Sequence, residues 1–191
     1  MITMPTKPST PAEVVDWIFA TFDKLGDRLY GESVTELQHA LQCAAFAERE
    51  GREPTMVAAC LLHDFGHLVH GLAEDIAEQG IDGRHEEAGY AALRTYFPSV
   101  IVDPGRLHVA AKRYLCARRE GYLDALSDAS RKSLALQGGP MTDAEATAFE
   151  AEPHFAEALI LREYDDRGKD PEMHTPPLEH YRRLLEGLVT I

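Results

Sequence analysis

The sequence predicts an all-α fold, and three observations support that class. Apolar residues recur at the three- and four-residue spacing of amphipathic helices along nearly the whole 191-residue chain. No segment shows the strict apolar–polar alternation of a half-buried strand. Capping motifs and prolines mark where helices begin and end. Because no linker, repeat or low-complexity segment divides the chain, we expect a single domain over residues 1–191.

The N-terminal helices are predicted from their apolar faces and first residues. Ser33 stands three residues before Glu36, a capping-box pattern that opens the second helix. Pro54 suits the first turn of the third helix, which should continue to about Gly71. Pro98 should end the fourth. The expected spans are 11–25, 33–51, 54–71 and 85–97.

The second half of the chain carries similar signals. The Asp103-Pro104 pair should begin the fifth helix, and Gly138-Gly139-Pro140 should break the chain. Thr142 and Glu145 form another capping-box pattern. We expect helices over 103–119, over 122–136 with a break near Ser130, and then over 142–150, 153–165 and 177–188.

Composition narrows the functional classes. With 45% hydrophobic and 27% charged residues, the chain has an ordinary globular composition, and its net charge of −13 argues against a nucleic-acid partner. No apolar stretch approaches the ~20 residues of a membrane span, and residues 1–8 lack a signal-peptide core. The three cysteines form no C-x-x-C motif, which indicates free thiols. We therefore expect a cytoplasmic protein with no membrane partner; its oligomeric state stays open.

A set of histidines and aspartates predicts a metal centre. The adjacent His63 and Asp64 interrupt an otherwise apolar helical run, Leu61 to Gly66, where burying them is costly unless something compensates. Helical proteins build metal sites from such inward side chains on facing helices. A set of nitrogen and oxygen donors without cysteine favours iron, manganese or magnesium over a zinc ion bound by thiolates. The candidate ligands are His39, His63, Asp64, His85, His108 and Asp165.

This order of residues resembles the HD-domain superfamily, in which a His is followed by His-Asp, two more His and a distant Asp. The resemblance covers about 30–165, the expected metal-binding core of a helical bundle. It implies two metals bridged by Asp64. One would also take His39, His63 and Asp165, and the other His85 and His108.

Further residues resemble the diiron oxygenases that cleave the carbon–phosphorus bond of 1-hydroxy-2-aminoethylphosphonates, relatives of myo-inositol oxygenase. The run from His63 ends in His67, where phosphodiesterases of the superfamily usually carry a lysine. A Tyr30-Gly31-Glu32 segment precedes His39, although Tyr30 stands one position nearer to Glu32 than in that group. Lys112, Ser130 and Arg162 match its substrate-binding positions.

The resemblance assigns roles to these residues. A tetrahedral dianion would be held by His67, Lys112, Ser130 and Arg162, while Glu32 would receive the amine and Tyr30 would guard or ligate one iron. Lys112 and Arg162 each lie one helical turn from a metal ligand, so every cation would stand beside the metals. The plainer alternatives are a surface lysine and an arginine–carboxylate ion pair. Aromatic candidates for a trimethylammonium group are Tyr30, Phe65, Tyr90 and Tyr164.

We expect a mixed-valent Fe(II)/Fe(III) oxygenase that uses O2 to cleave an organophosphonate. Its products would be phosphate and glycine or glycine betaine, depending on whether the amine is free or trimethylated. One rival is an HD-domain phosphohydrolase acting on a nucleotide or phosphomonoester, in which the metals activate water. The other is a metal-dependent binding or regulatory domain without catalysis.

Overall fold

The computed structural model describes residues 8–29, 33–70 and 82–191. These residues form helices joined by turns, which confirms the all-α prediction; their one strand-like feature is an isolated bridge between Leu29 and Thr35. The helices are α1 (Pro11–Leu25), α2 (Glu36–Arg49), α3 (Pro54–Leu62), α4 (Phe65–Val69), α5 (His85–Leu93), α6 (Ser99–Arg118), α7 (Tyr122–Ala125), α8 (Asp128–Leu136), α9 (Asp143–Glu150), α10 (Phe155–Arg167), a 3₁₀ helix (Leu178–Tyr181) and α11 (Arg182–Leu188).

Helix α3 lies at the centre of the packing. Every residue of Met56–Leu62 is buried, because the segment is apolar all round and contacts α2, α6, α10 and α11. Helix α10 packs against both α6 and α2, and α1 contacts α11 and α4. The C-terminal end of α3 therefore points into the space between α2, α6 and α10. None of the described helices combines the length and apolar character needed to cross a bilayer.

A smaller apolar cluster holds the α7–α8 segment against α6. Leu115 of α6 packs with Tyr122, Leu126 and Leu134, and all four side chains are buried. This contact brings the first turn of α8 towards the C-terminal half of α6. The segment that sequence analysis treated as one helix broken near Ser130 is in fact two helices. They separate at Leu126–Ser127, and Ser130 lies in the first turn of α8.

Two expected helix starts need correction. Helix α2 is capped by Thr35, whose side chain accepts from the Gln38 N–H at 3.2 Å, so the predicted Ser33 cap is wrong by two residues. Ser33 with Glu36 and Thr35 with Gln38 both fit the capping-box pattern. The second is formed, because the Gln38 side chain also accepts from the Thr35 N–H. Helix α6 starts at Ser99 and not at Asp103 as predicted, so Pro104 lies inside the helix. The added first turn is stabilised because Ile101 and Val102 are buried in the core. The capping box of Thr142 and Glu145 is confirmed.

The expected continuous helix over 54–71 is interrupted at the metal-ligand pair, and its predicted end at Gly71 lies outside the described residues. Helix α3 ends at Leu62 and α4 begins at Phe65. The His63 ring donates from Nδ1 to the Cys60 carbonyl at 2.8 Å. In an uninterrupted helix that carbonyl would accept from the backbone N–H of residue 64. The interruption places Asp64 in the junction between the two helices.

Candidate metal centre and anion site

The six candidate ligands come from five places in the fold and converge on one point. Each of them is at most 8% exposed. His39 lies on α2, the His63-Asp64 pair joins α3 to α4, and His85 is the first residue of α5. His108 lies on α6 and Asp165 on α10. The packing of α10 on α6 and α2 thus unites residues up to 126 positions apart, as 165 minus 39 gives.

The Asp64 carboxylate lies between two pairs of imidazoles. Its Oδ2 is 3.2 Å from His63 Nε2 and 3.5 Å from His39 Nε2. Its Oδ1 is 3.3 Å from His85 Nε2 and 3.4 Å from His108 Nε2. Within each pair the two Nε2 atoms are 3.2 Å and 3.1 Å apart. This arrangement fits the predicted pair of cation positions with Asp64 between them, and the bridging role stays a prediction.

Asp165 belongs to the first of these positions. Its Oδ1 is 3.5 Å from His39 Nε2, and its Oδ2 is 3.9 Å from His63 Nε2. Three histidine rings are also oriented by backbone carbonyls that accept from Nδ1: Gly168 for His39 at 2.7 Å, Cys60 for His63 at 2.8 Å and Gly105 for His108 at 2.5 Å. A carbonyl can only accept, so each Nδ1 carries a proton and each Nε2 atom faces the centre.

The charge state of the cluster fits a bound cation. Both carboxylate oxygens of Asp64 are buried and have no hydrogen-bond partner among the described residues. Burial opposes ionisation, but His63 and the neighbouring rings hold the pKa of Asp64 well below its usual range. Against the effect of burial, Asp64 and Asp165 raise the pKa of His63 to about 9. A metal ion would replace that proton and use the unpaired oxygens, since metal binding releases protons from its ligands.

Cys43 also lies near the centre, 3.7 Å from His39 Nε2 through its Sγ, and with His39 and His63 it forms a further group of metal-capable atoms. Its thiol donates to the Tyr164 carbonyl at 3.5 Å. Burial, followed by the charge of Asp165, raises the pKa of the Cys43 thiol well above its usual value. A protonated thiol is a poor ligand, and the nitrogen–oxygen donor set therefore describes this site better.

Close backbone contacts set the position of His85, a member of the second imidazole pair. A side-chain carbon on Gly66 would stand 1.8 Å from the His85 carbonyl oxygen, so only glycine allows α4 to approach the start of α5. His67 follows on α4, and its ring stacks on His85 with centroids 3.9 Å apart. Asp64, His67 and His85 together form another group of metal-capable atoms. The structure thus places His67 beside the second cation position.

Two candidate anion-binding residues, Lys112 and Ser130, are buried and have partners that the sequence did not indicate. Lys112 is 4% exposed and donates to Ser133 Oγ at 2.7 Å. Burial, then Arg162, lowers the pKa of Lys112 to about 8. Ser130 is buried, and its Oγ accepts from Lys169 Nζ at 3.0 Å.

Arg162 forms the ion pair that was weighed as the plainer alternative. Its guanidinium contacts Asp165 Oδ2 at 2.5 Å and also pairs with Asp166, while Nε donates to the Tyr122 hydroxyl at 3.1 Å. Arg162 is therefore tied directly to a candidate metal ligand. The anion-binding role stays a prediction for Arg162, as it does for Lys112, Ser130 and His67.

Sequence reasoning missed Lys169, Ser133, Tyr122 and Asp166. One signal was available for Lys169, which stands four residues after Asp165 just as Lys112 stands four after His108. Tyr30 and Glu32 lie outside the described residues. Two of the aromatic candidates have core contacts instead: Phe65 packs on Trp17 and Phe22, and the Tyr164 hydroxyl donates to Glu50. The ring of the third, Tyr90, lies beneath the Arg94 and Arg106 guanidiniums.

Comparison with known proteins gives the family of the chain. The HD domain model matches residues 37–125. The chain is 42% identical over 177 residues to the [1-hydroxy-2-(trimethylamino)ethyl]phosphonate dioxygenase (glycine-betaine-forming) of Leisingera caerulea, covering 92% of this chain and 90% of that protein. It is 40% identical over 186 residues to the hydroxymethylphosphonate dioxygenase of Gimesia maris, covering 93% and 89%.

The chain is thus an HD-domain protein with a metal-binding cluster of histidines and aspartates. More narrowly, it belongs to the family of HD-domain oxygenases that includes these two dioxygenases, and it is an oxygenase. The predicted family and enzyme class are confirmed. The roles of individual residues and the single-domain assignment stay predictions.

Proposed function

We propose that this protein is an O2-dependent diiron oxygenase that cleaves the carbon–phosphorus bond of a 1-hydroxyphosphonate. The preferred substrate is 1-hydroxy-2-(trimethylammonio)ethylphosphonate, giving phosphate and glycine betaine; the free amine would give phosphate and glycine. The observation that carries the proposal is the Asp64 carboxylate between two imidazole pairs, with buried Lys112 and Arg162 nearby. The location we propose is cytoplasmic, in keeping with three free cysteines.

Two iron ions in the Fe(II)/Fe(III) state are the proposed cofactor. His39, His63, Asp64 and Asp165 would hold one ion, and Asp64, His85 and His108 the other. Nitrogen and carboxylate donors suit iron. When bound, such a pair supplies the electrons that activate O2 and a Lewis acid for the hydroxyl and phosphonate oxygens of the substrate. The contribution of the chain is to bind, orient and shield the reactants.

The side chains divide that work by charge. Lys112 and Arg162 present donors to the phosphonate oxygens, and the Ser130 hydroxyl adds a neutral donor. Held in this way, the phosphonate would be oriented with its C1 carbon towards the residues that would hold the metals, which is a positioning effect. The ligand atoms are almost fully buried, so bulk water is kept from the reacting carbon. His67, stacked on His85, borders the same space.

The names of the two relatives support the phosphonate end of the proposed substrate more strongly than its amine end. According to their names, one acts on a trimethylamino-ethyl substrate and the other on hydroxymethylphosphonate. These substrates share the hydroxyl and phosphonate on C1 and differ in what else C1 carries. The amine end is assigned to Glu32, with Tyr30 as the residue that guards or ligates an iron. Both assignments rest on the sequence resemblance.

The test measures O2 uptake and phosphate release together with iron-loaded protein. The substrates are 1-hydroxy-2-(trimethylammonio)ethylphosphonate, its free-amine analogue and hydroxymethylphosphonate. A matched control lacks only the C1 hydroxyl, and we expect no turnover of it. Equal consumption of O2 and production of phosphate with one substrate would support the proposal and identify the group on C1.

Two results would count against the oxygenase proposal. Phosphate release that continues without O2 would favour the phosphohydrolase alternative. No turnover of any of the three hydroxyphosphonates would remove this substrate class. A Glu32→Gln variant then tests the amine end: it should raise KM for the two cationic substrates and leave hydroxymethylphosphonate unaffected.

A further inference from the structure

The segment that follows α10 is fixed on both sides of Lys169. The Gly168 carbonyl accepts from His39 Nδ1 at 2.7 Å. The Gln42 side chain bonds both backbone groups of Asp170, donating to its carbonyl at 2.7 Å and accepting from its N–H at 3.1 Å. His39 and Gln42 are buried at 0% and 1% exposure, so helix α2 rigidly holds the backbone around Lys169.

The Lys169 side chain reaches the first turn of α8. Its Nζ donates to Ser130 Oγ at 3.0 Å and to Ser127 Oγ at 3.3 Å. An ammonium group has donors only, so the Ser130 oxygen is the acceptor in this contact. The single proton of that hydroxyl is therefore directed away from Lys169 and is available to another acceptor.

The groups around Arg162 carry charges of both signs. Arg162 pairs with both Asp165 and Asp166, so two carboxylates stand against the positive charges of Arg162 and Lys112. A further cation beside these groups would add to the attraction for an anionic ligand, in a protein whose net charge is −13. Lys169 brings a positive charge to the first turn of α8, and Lys112 reaches Ser133 on the following turn.

We infer that Lys169 is a positioning residue of the anion site: it orients the Ser130 hydroxyl as a donor and supplies a third positive charge for a phosphonate or phosphate dianion. The inference rests on the proposed function for the identity of the substrate. The anion chemistry itself follows from the contacts of Lys169 with buried Ser130 and of Lys112 with Ser133, together with Arg162, whose charge acts on Lys112. The position also couples anion binding to the metals, because Gly168 and His39 share a hydrogen bond.

The test uses Lys169→Met and, as a charge-preserving variant, Lys169→Arg. The matched control is Lys132→Met, which removes the same charge from an exposed position of α8. Residues 130 and 132 lie about 200° apart around a helix, on opposite sides. Inorganic phosphate is the binding probe, measured by calorimetry on iron-loaded protein, and KM and kcat are measured with whichever phosphonate turns over.

We expect Lys169→Met to raise both the Kd for phosphate and KM about 10-fold, the usual size for a lost charge-assisted contact. We expect kcat to stay within about twofold, since the contact acts on binding. Lys132→Met should resemble the wild type, and Lys169→Arg should recover most of the phosphate affinity. A purely structural defect would not separate KM from kcat in this way.

A double-mutant cycle with Ser130→Ala tests whether Lys169 acts through that hydroxyl. In the Ser130→Ala background, Lys169→Met should cost clearly less than it does alone, because the oriented donor is already absent. Fully additive effects would leave Lys169 as a charge only and overturn the positioning role. Should Lys169→Met fail to fold, Lys169→Gln replaces it and is held to the same expectations.

The outcomes separate this inference from the proposed function. If the wild type binds phosphate but turns over no phosphonate, the proposed substrate fails and the phosphate measurements still decide the role of Lys169. Wild-type Kd and KM in Lys169→Met would overturn the inference while leaving the oxygenase intact. A wild type that binds no phosphate would overturn the anion site altogether.

Discussion

At the scale of single residues, one carboxylate determines the form of the site. Asp64 has both oxygens buried without a hydrogen-bond partner among the described residues, and each oxygen faces a different pair of imidazoles. A buried charge left in this way is costly unless a cation accompanies it. We therefore expect that removing the charge of Asp64 removes the metals.

Asp64→Asn keeps the shape of the side chain and removes its negative charge. We expect the purified variant to lose iron from both positions, because the bridge serves each of them. Iron content per chain, measured after identical loading and dialysis, checks this. Asp166→Asn is the control: it removes a carboxylate that contacts Arg162 and Tyr122 rather than the imidazoles, and it should retain iron. Two irons retained in Asp64→Asn would contradict the bridging role.

Lys112 illustrates a conflict between stability and function. Burial, then Arg162, lowers its pKa from 10.5 to about 8, so at pH 7 the folded protein carries a charge that it holds unfavourably. Lys112→Met should therefore raise the free energy of unfolding at pH 7 by about 1–3 kcal/mol, since each unit of pKa corresponds to about 1.4 kcal/mol. The same change should raise KM for the phosphonate. Denaturant unfolding and steady-state kinetics measure the two effects.

The same pKa sets a pH dependence. Lys112 in the free enzyme loses its proton as pH rises through about 8, so kcat/KM for a dianionic substrate should fall above that pH. In Lys112→Met this part of the profile should be absent, whereas exposed Lys132→Met should retain it. The stability of the wild type should rise as pH rises from about 8 to 10.5, because the unfolded chain then binds more protons. A kcat/KM profile unchanged in Lys112→Met would exclude Lys112 from the anion site.

At the scale of elements, the site depends on how closely short helices approach one another. Helix α3 ends at Leu62 and α4 begins at Phe65, and Gly66 of α4 lies against the start of α5. Gly105 of α6 similarly lies against the His63 backbone, where a side-chain carbon would be 3.2 Å from its Cα. Glycine is required at residue 66, where an added carbon would overlap backbone atoms, whereas the contact at residue 105 is tight and needs only a small shift.

Gly66→Ala tests this contact. The new carbon would stand 1.8 Å from the His85 carbonyl oxygen and 2.6 Å from its carbon, and both are backbone atoms that cannot turn away. We expect a loss of about 3 kcal/mol or more in unfolding free energy and reduced iron content, as α5 and His85 are displaced. Gly187→Ala in α11 is the control. Nothing lies within 4 Å of its added carbon, so it should be neutral or slightly stabilising.

At the scale of the whole molecule, the metals should connect parts of the chain that are distant in sequence. The candidate ligands belong to α2, the α3–α4 junction, α5, α6 and α10, which are also the helices of the central packing. A bound metal is thus a crosslink between core elements. Its free energy of binding adds to the stability of the fold, because the unfolded chain does not hold these ligands together.

Removing iron with a chelator should lower Tm by about 5–10 °C. This shift corresponds to about 2.7 kcal/mol, the stabilisation expected when metal is present at a hundred times its Kd. Differential scanning calorimetry before and after chelation, and after adding iron back, measures it. Asp64→Asn should show no such difference between the loaded and chelated states. An equal Tm for wild-type protein with and without iron would argue against a site built across the core.

The helical class, most helix spans, the candidate ligands and the family could be predicted from the sequence, because periodicity, capping residues and metal-ligand order are local properties of the chain. Its two competing capping boxes at Ser33 and Thr35 were not distinguishable, since both satisfy the same pattern. The break at His63 also required the structure, because it depends on a side chain replacing a backbone partner. Only the tertiary packing brought Lys169 to Ser130 and tied Arg162 to Asp165 and Asp166. Such contacts form when separate helices meet, and the distances they require are not encoded in local spacing.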